Sequence, residues 1–99
     1  MIKHIVAWNY QAGLSDAEKQ QRGEQAKEAL EALPGVVPGL ASLTVSLAPL
    51  DSSDRAIVLE AAFETPEALE VYAGHSAHVA AAAIIGSFTT GRVVLDYEV

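Results

Sequence analysis

Cysteine is absent from this chain of 99 residues, and basic residues are scarce. Without cysteine there are no disulfides, no thiolate metal ligands and no cysteine nucleophile, and nothing demands an oxidising compartment. Six Lys and Arg against thirteen Asp and Glu give a net charge of −7. Because the few cations are scattered, we expect neither nucleic acid nor an anionic membrane as a partner.

Long apolar runs are missing as well. No run approaches the roughly 20 residues of a membrane span, and the first residues lack the apolar core and cleavage site of a signal peptide. The sequence therefore predicts a cytoplasmic location. Its length fits a single domain over residues 1–99, and a hydrophobic content of 51% suffices for one buried core.

Common catalytic motifs are also absent. The sequence has no glycine-rich phosphate loop, no G-x-S-x-G elbow, no HExxH and no carboxylate pair of recognisable spacing. Only His4, His75 and His78 suggest a metal site, and two histidines that flank a helix start need not point the same way. We therefore predict no metal.

Local signals divide the chain into strands and helices. Ser15 and Glu18 have the spacing of a capping box, Thr65 and Pro66 mark a second helix start, and Ser76 is an N-cap candidate for a third. The predicted elements are a strand at 2–10, a helix from 16 to about 33, strands at 40–47 and 55–63, helices at 66–74 and 77–85, and a strand at 92–99. This order predicts a ferredoxin-like βαββαβ fold, an antiparallel four-stranded sheet with helices on one face.

The third predicted strand is apolar on both faces. Its helix-facing set is Ile57, Leu59, Ala61 and Phe63, and its opposite set is Ala56, Val58 and Ala62. A sheet with one face in water would alternate more cleanly. We therefore expect a homodimer in which a second copy covers the open sheet face and forms a dimeric α/β barrel.

Tyr72, His75 and His78 cluster at the break between two predicted helices. His78 would lie in the first turn after Ser76, where the helix dipole disfavours the imidazolium, so a neutral His78 is a candidate general base near pH 7. The structural alternative is a histidine that is hydrogen-bonded in the core or caps a helix. For Tyr72 the alternative is a core tyrosine whose hydroxyl is tied to the backbone.

His4 shares one strand face with Val6 and Trp8 and needs a polar partner there. A backbone carbonyl or Tyr72 would satisfy it, or it lies on a pocket wall and orients a substrate oxygen.

Arg22 falls on the helical stripe of Ala26 and Leu30. It either extends outward past the helix end or reaches in to pair with a carboxylate, that of Asp96 or of a substrate.

Four segments resemble a known family, the stress-responsive α/β-barrel (Dabb) domain. They are Ile2 to Val6, Leu33 to Val36, Phe63 to His78 and Arg92 to Tyr97. The most specific part is the Tyr-x-x-His-x-x-His pattern of Tyr72, His75 and His78, combined with the Lys-His of the first strand. The resemblance covers essentially the whole chain and implies the same dimeric ferredoxin-like barrel.

Within this family the chain is similar to plant polyketide cyclases of the olivetolic acid type, which close a poly-β-ketoacyl chain by aldol condensation without metal or organic cofactor. The resemblance implies that His78 abstracts the proton, Tyr72 anchors the substrate carbonyl, and no cofactor is needed. The residues expected to bind substrate are His4, Val6, Trp8, Arg22, Leu59, His75, Ala81 and Val94.

Departures from the family pattern alter the implied pocket. Ser76 stands where the segment usually has proline, and Thr89 stands where the cyclases have tryptophan. Arg22, Gly23 and Ala26 replace bulky aromatics on the first helix. The pocket should therefore differ in shape and polarity, and olivetolic acid itself is not the expected product.

Three functions remain open. The first is a cofactor-free cyclase, or a related lyase or isomerase, acting on a small carbonyl compound with His78 as base and Tyr72 as oxygen ligand. The second is a stress-responsive or ligand-binding homodimer without chemistry, whose histidines satisfy core hydrogen bonds. The third is a barrel monooxygenase of related fold, which would consume O₂ without flavin.

Overall fold

The computed structural model describes all residues from 1 to 99 as seven elements in the predicted order. They are β1 (Ile2–Tyr10), α1 (Asp16–Glu31), β2 (Leu40–Ser46), β3 (Ile57–Phe63), α2 (Pro66–Gly74), α3 (Ser76–Gly86) and β4 (Thr89–Glu98). None of the three helices is long and apolar enough to cross a membrane.

The helix starts follow from their capping residues. Ser15 and Glu18 form the predicted capping box of α1, and the Thr65 hydroxyl accepts the amide proton of Ala68 at the start of α2. The prediction that Ser76 caps α3 is wrong, because Ser76 is already its first helical residue. The cap is His75, whose extended backbone leaves Nδ1 free to accept the Ala77 amide at 3.1 Å.

The four strands form one antiparallel sheet in the order β2-β3-β1-β4. Alternation along β1 and β3 sends one set of side chains toward the helices, where they form a continuous core with Leu30 of α1 and Ile85 of α3. The predicted inward set of β3 is almost fully buried, with exposures of 0 to 2%: Ile57, Leu59, Ala61 and Phe63. The predicted ferredoxin-like fold is therefore confirmed.

Strand β4 begins at Thr89, three residues before its predicted start. Its pairing with β1 continues beyond a register shift, across which Ala7 faces Val93 and Asn9 faces Thr90. Two residues of β4 thus oppose one of β1, which is a β-bulge. Gly91 supplies the left-handed backbone at this point, with φ of 65°. The bulge keeps both Thr89 and Arg92 on the helix side of the sheet.

The opposite face of the sheet has no helix over it. Along β4 it carries Val93, Leu95 and Tyr97, which are 41%, 61% and 50% exposed. Their cross-strand partners on β1 include the apolar Ile5 and Ala7. This surface, which we call the open sheet face, is apolar along β4 and at Ile5 and Ala7 of β1, and it also carries the ion pair of Lys3 with Glu60 at 3.6 Å. It is polar at β2, where Ser42, Thr44 and Ser46 are exposed.

Candidate active site

A cavity of about 280 Å³ lies between the sheet and the helices. Its apolar wall is built from β1, α1, β3 and α3, and includes Val6, Trp8, Leu30, Leu59 and Ile85. Four polar side chains complete it: His4, Tyr72, His78 and Arg92. A mostly apolar cavity with a few convergent polar groups is the usual form of a small-molecule site.

The same four polar residues also line a second cavity, of about 260 Å³, together with Val94 and Asp96 of β4. Their side chains therefore stand between the two spaces. A ligand that reaches them can extend to either side, toward Trp8 or toward Val94.

Tyr72 lies at the end of α2 and is only 2% exposed. Its ring packs edge to face against Phe63 at a centroid distance of 4.9 Å and against His4 at 5.8 Å. Its hydroxyl makes no hydrogen bond with another protein group and is not fully sealed from solvent. Burial raises the pKa of Tyr72 to about 12, although the charge of Arg92 opposes this shift. Tyr72 is therefore a protonated donor at neutral pH.

His78 lies in the first turn of α3, and its ring overlies that of Tyr72 with centroids 3.9 Å apart. Its Nδ1 is 3.4 Å from the carbonyl oxygen of Ala73. Because a carbonyl oxygen can only accept, this contact places the proton on Nδ1 and leaves Nε2 with a free lone pair.

Burial, above all, lowers the pKa of His78 below its ordinary value of 6.5. The neighbouring charges of His4, Arg92 and His75 act in the same direction, while the hydrogen bond to Ala73 opposes them. His78 is therefore neutral at pH 7, in the protonation state that a general base requires.

His4 is buried and is paired with a carboxylate. Its Nδ1 donates to Oδ1 of Asp96, the residue directly opposite in the pairing of β1 with β4. This contact fixes the orientation of the imidazole ring and leaves its other nitrogen, Nε2, without a protein partner. The expectations that His4 bonds to a backbone carbonyl or to Tyr72, and that Asp96 pairs with Arg22, are both corrected by this pair.

Two predicted substrate-binding residues lie elsewhere. Arg22 is exposed beside a separate surface depression formed with Gln25 and Phe88, because the inward face of α1 is set by Gly23, Ala26 and Leu30. His75 caps α3 with its imidazole and lines neither cavity.

Of the remaining predicted residues, Val94 lines the second cavity and not the first. Ala81 is buried in the core, and its neighbour Ala82 lines the first cavity instead. His4, Val6, Trp8, Leu59, Tyr72 and His78 all line the first cavity.

Asp96 and Arg92 were not among the predicted site residues. Alternation along β4 does offer a signal for both, because Arg92, Val94 and Asp96 occupy every second position. To use this signal, one must know the strand register, which places Asp96 opposite His4.

Comparison with known proteins identifies the family of this chain. The family model of the stress-responsive A/B barrel domain matches residues 2–99. The chain belongs to the Dabb family. A dimeric protein of ferredoxin-like fold from Bacteroides fragilis is 31% identical, with a TM-score of 0.90 over 99% of this chain and 95% of that one. No curated protein sequence matches this Dabb chain.

Other solved structures share the fold at lower identity. A dimeric ferredoxin-like protein from Thermobifida fusca is 23% identical, with a TM-score of 0.83 over 99% of this chain and 90% of that one. The hydroxynitrile lyase of Passiflora edulis is 17% identical, with a TM-score of 0.78 over 97% of this chain and 90% of that one. At these identities the likeness concerns the fold, on which more than one function is found.

Proposed function

We propose that this Dabb protein is a cofactor-free enzyme that enolises a small carbonyl compound, with His78 as general base and Tyr72 as donor to the carbonyl oxygen. The observation that carries the proposal is the pairing of a neutral imidazole with a protonated phenol, 3.9 Å apart in centroids, on the wall of a cavity. Each group is in the protonation state that enolisation needs at pH 7.

The reaction begins at the carbon next to the carbonyl. Nε2 of His78 takes the proton from this carbon. The electron pair of the C–H bond forms the carbon–carbon double bond of the enolate, and the π pair of the carbonyl group moves to its oxygen. Tyr72 donates a hydrogen bond to that oxygen, where negative charge develops. In a ligand with a second carbonyl group, the enolate carbon attacks it, and the proton held by His78 passes to the resulting alkoxide. The product is the cyclic aldol of a polyketide-cyclase-like reaction.

His4 and Asp96 support the same centre from the sheet. The His4 ring packs against Tyr72, and Asp96 holds it in place. We assign His4 to binding and positioning, together with the cavity wall of Val6, Trp8 and Leu59. An enzyme on this fold is compatible with the comparisons, since one structural neighbour is named a hydroxynitrile lyase.

The proposal includes a homodimer formed through the open sheet face. The structural neighbours from Bacteroides fragilis and Thermobifida fusca are dimeric. In this chain Leu95 and Tyr97 are at least half exposed on that face. A second copy would remove their apolar surface from water, which is the main favourable term in such an association.

Deuterium exchange tests the enolisation directly and requires no knowledge of the natural substrate. The loss of α-proton signal of methyl levulinate and levulinate in D₂O is followed by ¹H NMR. We expect His78→Gln to reduce the protein-catalysed rate by about 10² to 10⁴-fold. The matched control is His75→Asn, because asparagine is also a good N-cap and His75 lines neither cavity.

Two outcomes would reject the proposal. If His78→Gln exchanges protons as fast as the wild type, His78 is not the base. If the wild type catalyses no exchange and His78→Gln only lowers the melting temperature, the histidine is structural. The ligand-binding homodimer is then the better description.

A further inference from the structure

Arg92 has a free guanidinium at the boundary between the two cavities. It makes no hydrogen bond or ion pair with any other group of the chain, and its residue is exposed at the cavity mouth. Lys27 pairs with Glu31 at 2.8 Å, and Arg55 donates to the carbonyl oxygen of Gly91 at 2.7 Å. Arg22 is also unpaired, but it is exposed on α1 and lines neither cavity. Arg92 is therefore the unpaired cation of the ligand site, in a chain with a net charge of −7.

No carboxylate of the chain lies within 4.0 Å of this cation. Asp96, the acidic residue that lines the second cavity, is engaged by His4. Arg92 also lies close enough to Tyr72 and His78 for its charge to act on both groups. A ligand held by Arg92 would therefore be within reach of the proposed base and donor.

We propose that Arg92 binds a carboxylate of the ligand, so that the compounds taken by this site are keto acids. A guanidinium can donate two parallel hydrogen bonds to a carboxylate, a geometry that a neutral ester cannot match with the same strength. This inference rests on the proposed function, since it takes the cavity beside Tyr72 and His78 as the ligand site.

The cavity sizes set the scale of the ligand. A volume of about 280 Å³ lies just below the roughly 300 Å³ at which small-molecule sites usually begin. This matches a short keto acid in one cavity, with Arg92 at one end of it. The second space, of about 260 Å³, leaves room for a longer acyl chain beside Val94.

Binding to the intact protein tests the proposal without turnover. Levulinate and 5-oxohexanoate, each with its methyl ester, are titrated into ¹⁵N-labelled protein while amide and arginine side-chain shifts are followed. We expect the wild type to bind each acid at least about tenfold tighter than its ester. In Arg92→Gln this preference should disappear, with ester affinity unchanged within about twofold. Arg92→Lys should keep part of it, since lysine retains the charge without the planar fork.

Arg22→Gln is the matched control, because Arg22 is exposed and lines neither cavity. It should leave the preference for acids intact. The proposal is overturned if neither acid binds the wild type, if acids and esters bind equally, or if the preference survives in Arg92→Gln.

Deuterium exchange separates this proposal from the proposed function. If the acids bind through Arg92 but their α-protons do not exchange, enolisation fails while the carboxylate site stands. If exchange is observed and Arg92→Gln lowers kcat equally for acid and ester, Arg92 acts on the reacting oxygen and the carboxylate site is rejected. The expected result is a KM raised at least about tenfold for the acids, with kcat changed little.

Discussion

Replacing Tyr72 with phenylalanine separates a catalytic hydroxyl from a structural one. The substitution keeps the ring, and with it the edge-to-face contacts to Phe63 at 4.9 Å and to His4 at 5.8 Å. Only the hydroxyl is lost, and it has no hydrogen-bond partner in the protein. No buried group is therefore left unsatisfied by Tyr72→Phe. We expect the free energy of unfolding to change by less than about 0.5 kcal/mol.

The effect on catalysis should be much larger. A donor to a developing oxyanion contributes about 2.7 to 4 kcal/mol, so Tyr72→Phe should slow deuterium exchange by about 10² to 10³-fold. Tyr72→Ala is the contrasting variant, because it removes the ring and should cost about 3 to 5 kcal/mol of stability. Urea unfolding gives the stability change, and ¹H NMR of the exchanging substrate gives the rate.

Two results would refute this reasoning. A loss of about 1 to 3 kcal/mol on Tyr72→Phe would mean that the hydroxyl is tied to a buried protein group, as the structural interpretation of Tyr72 holds. An exchange rate equal to that of the wild type would mean that the hydroxyl does not contact the reacting oxygen.

Further predictions concern the pKa of His78, the open sheet face and the backbone at Gly91. Because burial lowers the pKa of His78, kcat/KM for exchange should rise with pH along a titration curve whose midpoint lies below 6.5. A midpoint above 6.5 would contradict this. The imidazole of His78 binds its proton more tightly in the unfolded chain than in the folded one. The free energy of unfolding, measured with urea, should therefore decrease as pH falls from about 6.5 through the lowered pKa. Leu95→Glu should weaken the homodimer at least about 10²-fold by analytical ultracentrifugation, whereas Leu50→Glu, at a still more exposed position in a loop off the open sheet face, should not. Gly91→Ala should cost about 1 to 2 kcal/mol of stability in thermal unfolding, since φ there is 65°; an unchanged melting temperature would argue against strain.

Most of the fold could be predicted from local sequence signals. The capping box at Ser15 and the Thr65-Pro66 pair fix two helix starts by hydrogen bonds within one turn, and such short-range chemistry is visible in the sequence. Alternation in β1 and β3 gave the inward faces correctly. The start of β4 was missed because a β-bulge interrupts its alternation at Gly91 and hides the pairing of Thr89 with Tyr10.

The site was predictable where its residues lie close together in sequence. Tyr72 and His78 are six positions apart and meet across one helix junction. His4 and Asp96 are 92 positions apart, and only the strand register brings them together. The outward alternative for Arg22 is correct, and its expected role in substrate binding is wrong. Neighbouring positions on a helix differ by about 100° in direction, so Arg22 is exposed although Gly23 is buried.

The single-residue break at His75 also determines what kind of change this site can tolerate. In one unbroken helix, residues six positions apart are about 9 Å apart along the axis and point about 120° away from each other. The rings of Tyr72 and His78 could not then lie 3.9 Å apart in centroids. The two rings are in contact because the chain leaves the helix at His75. Conservative substitutions that preserve this break leave the contact intact. A one-residue insertion or deletion between them would separate the two rings even with both side chains retained, so the spacing in this segment matters as much as its chemistry.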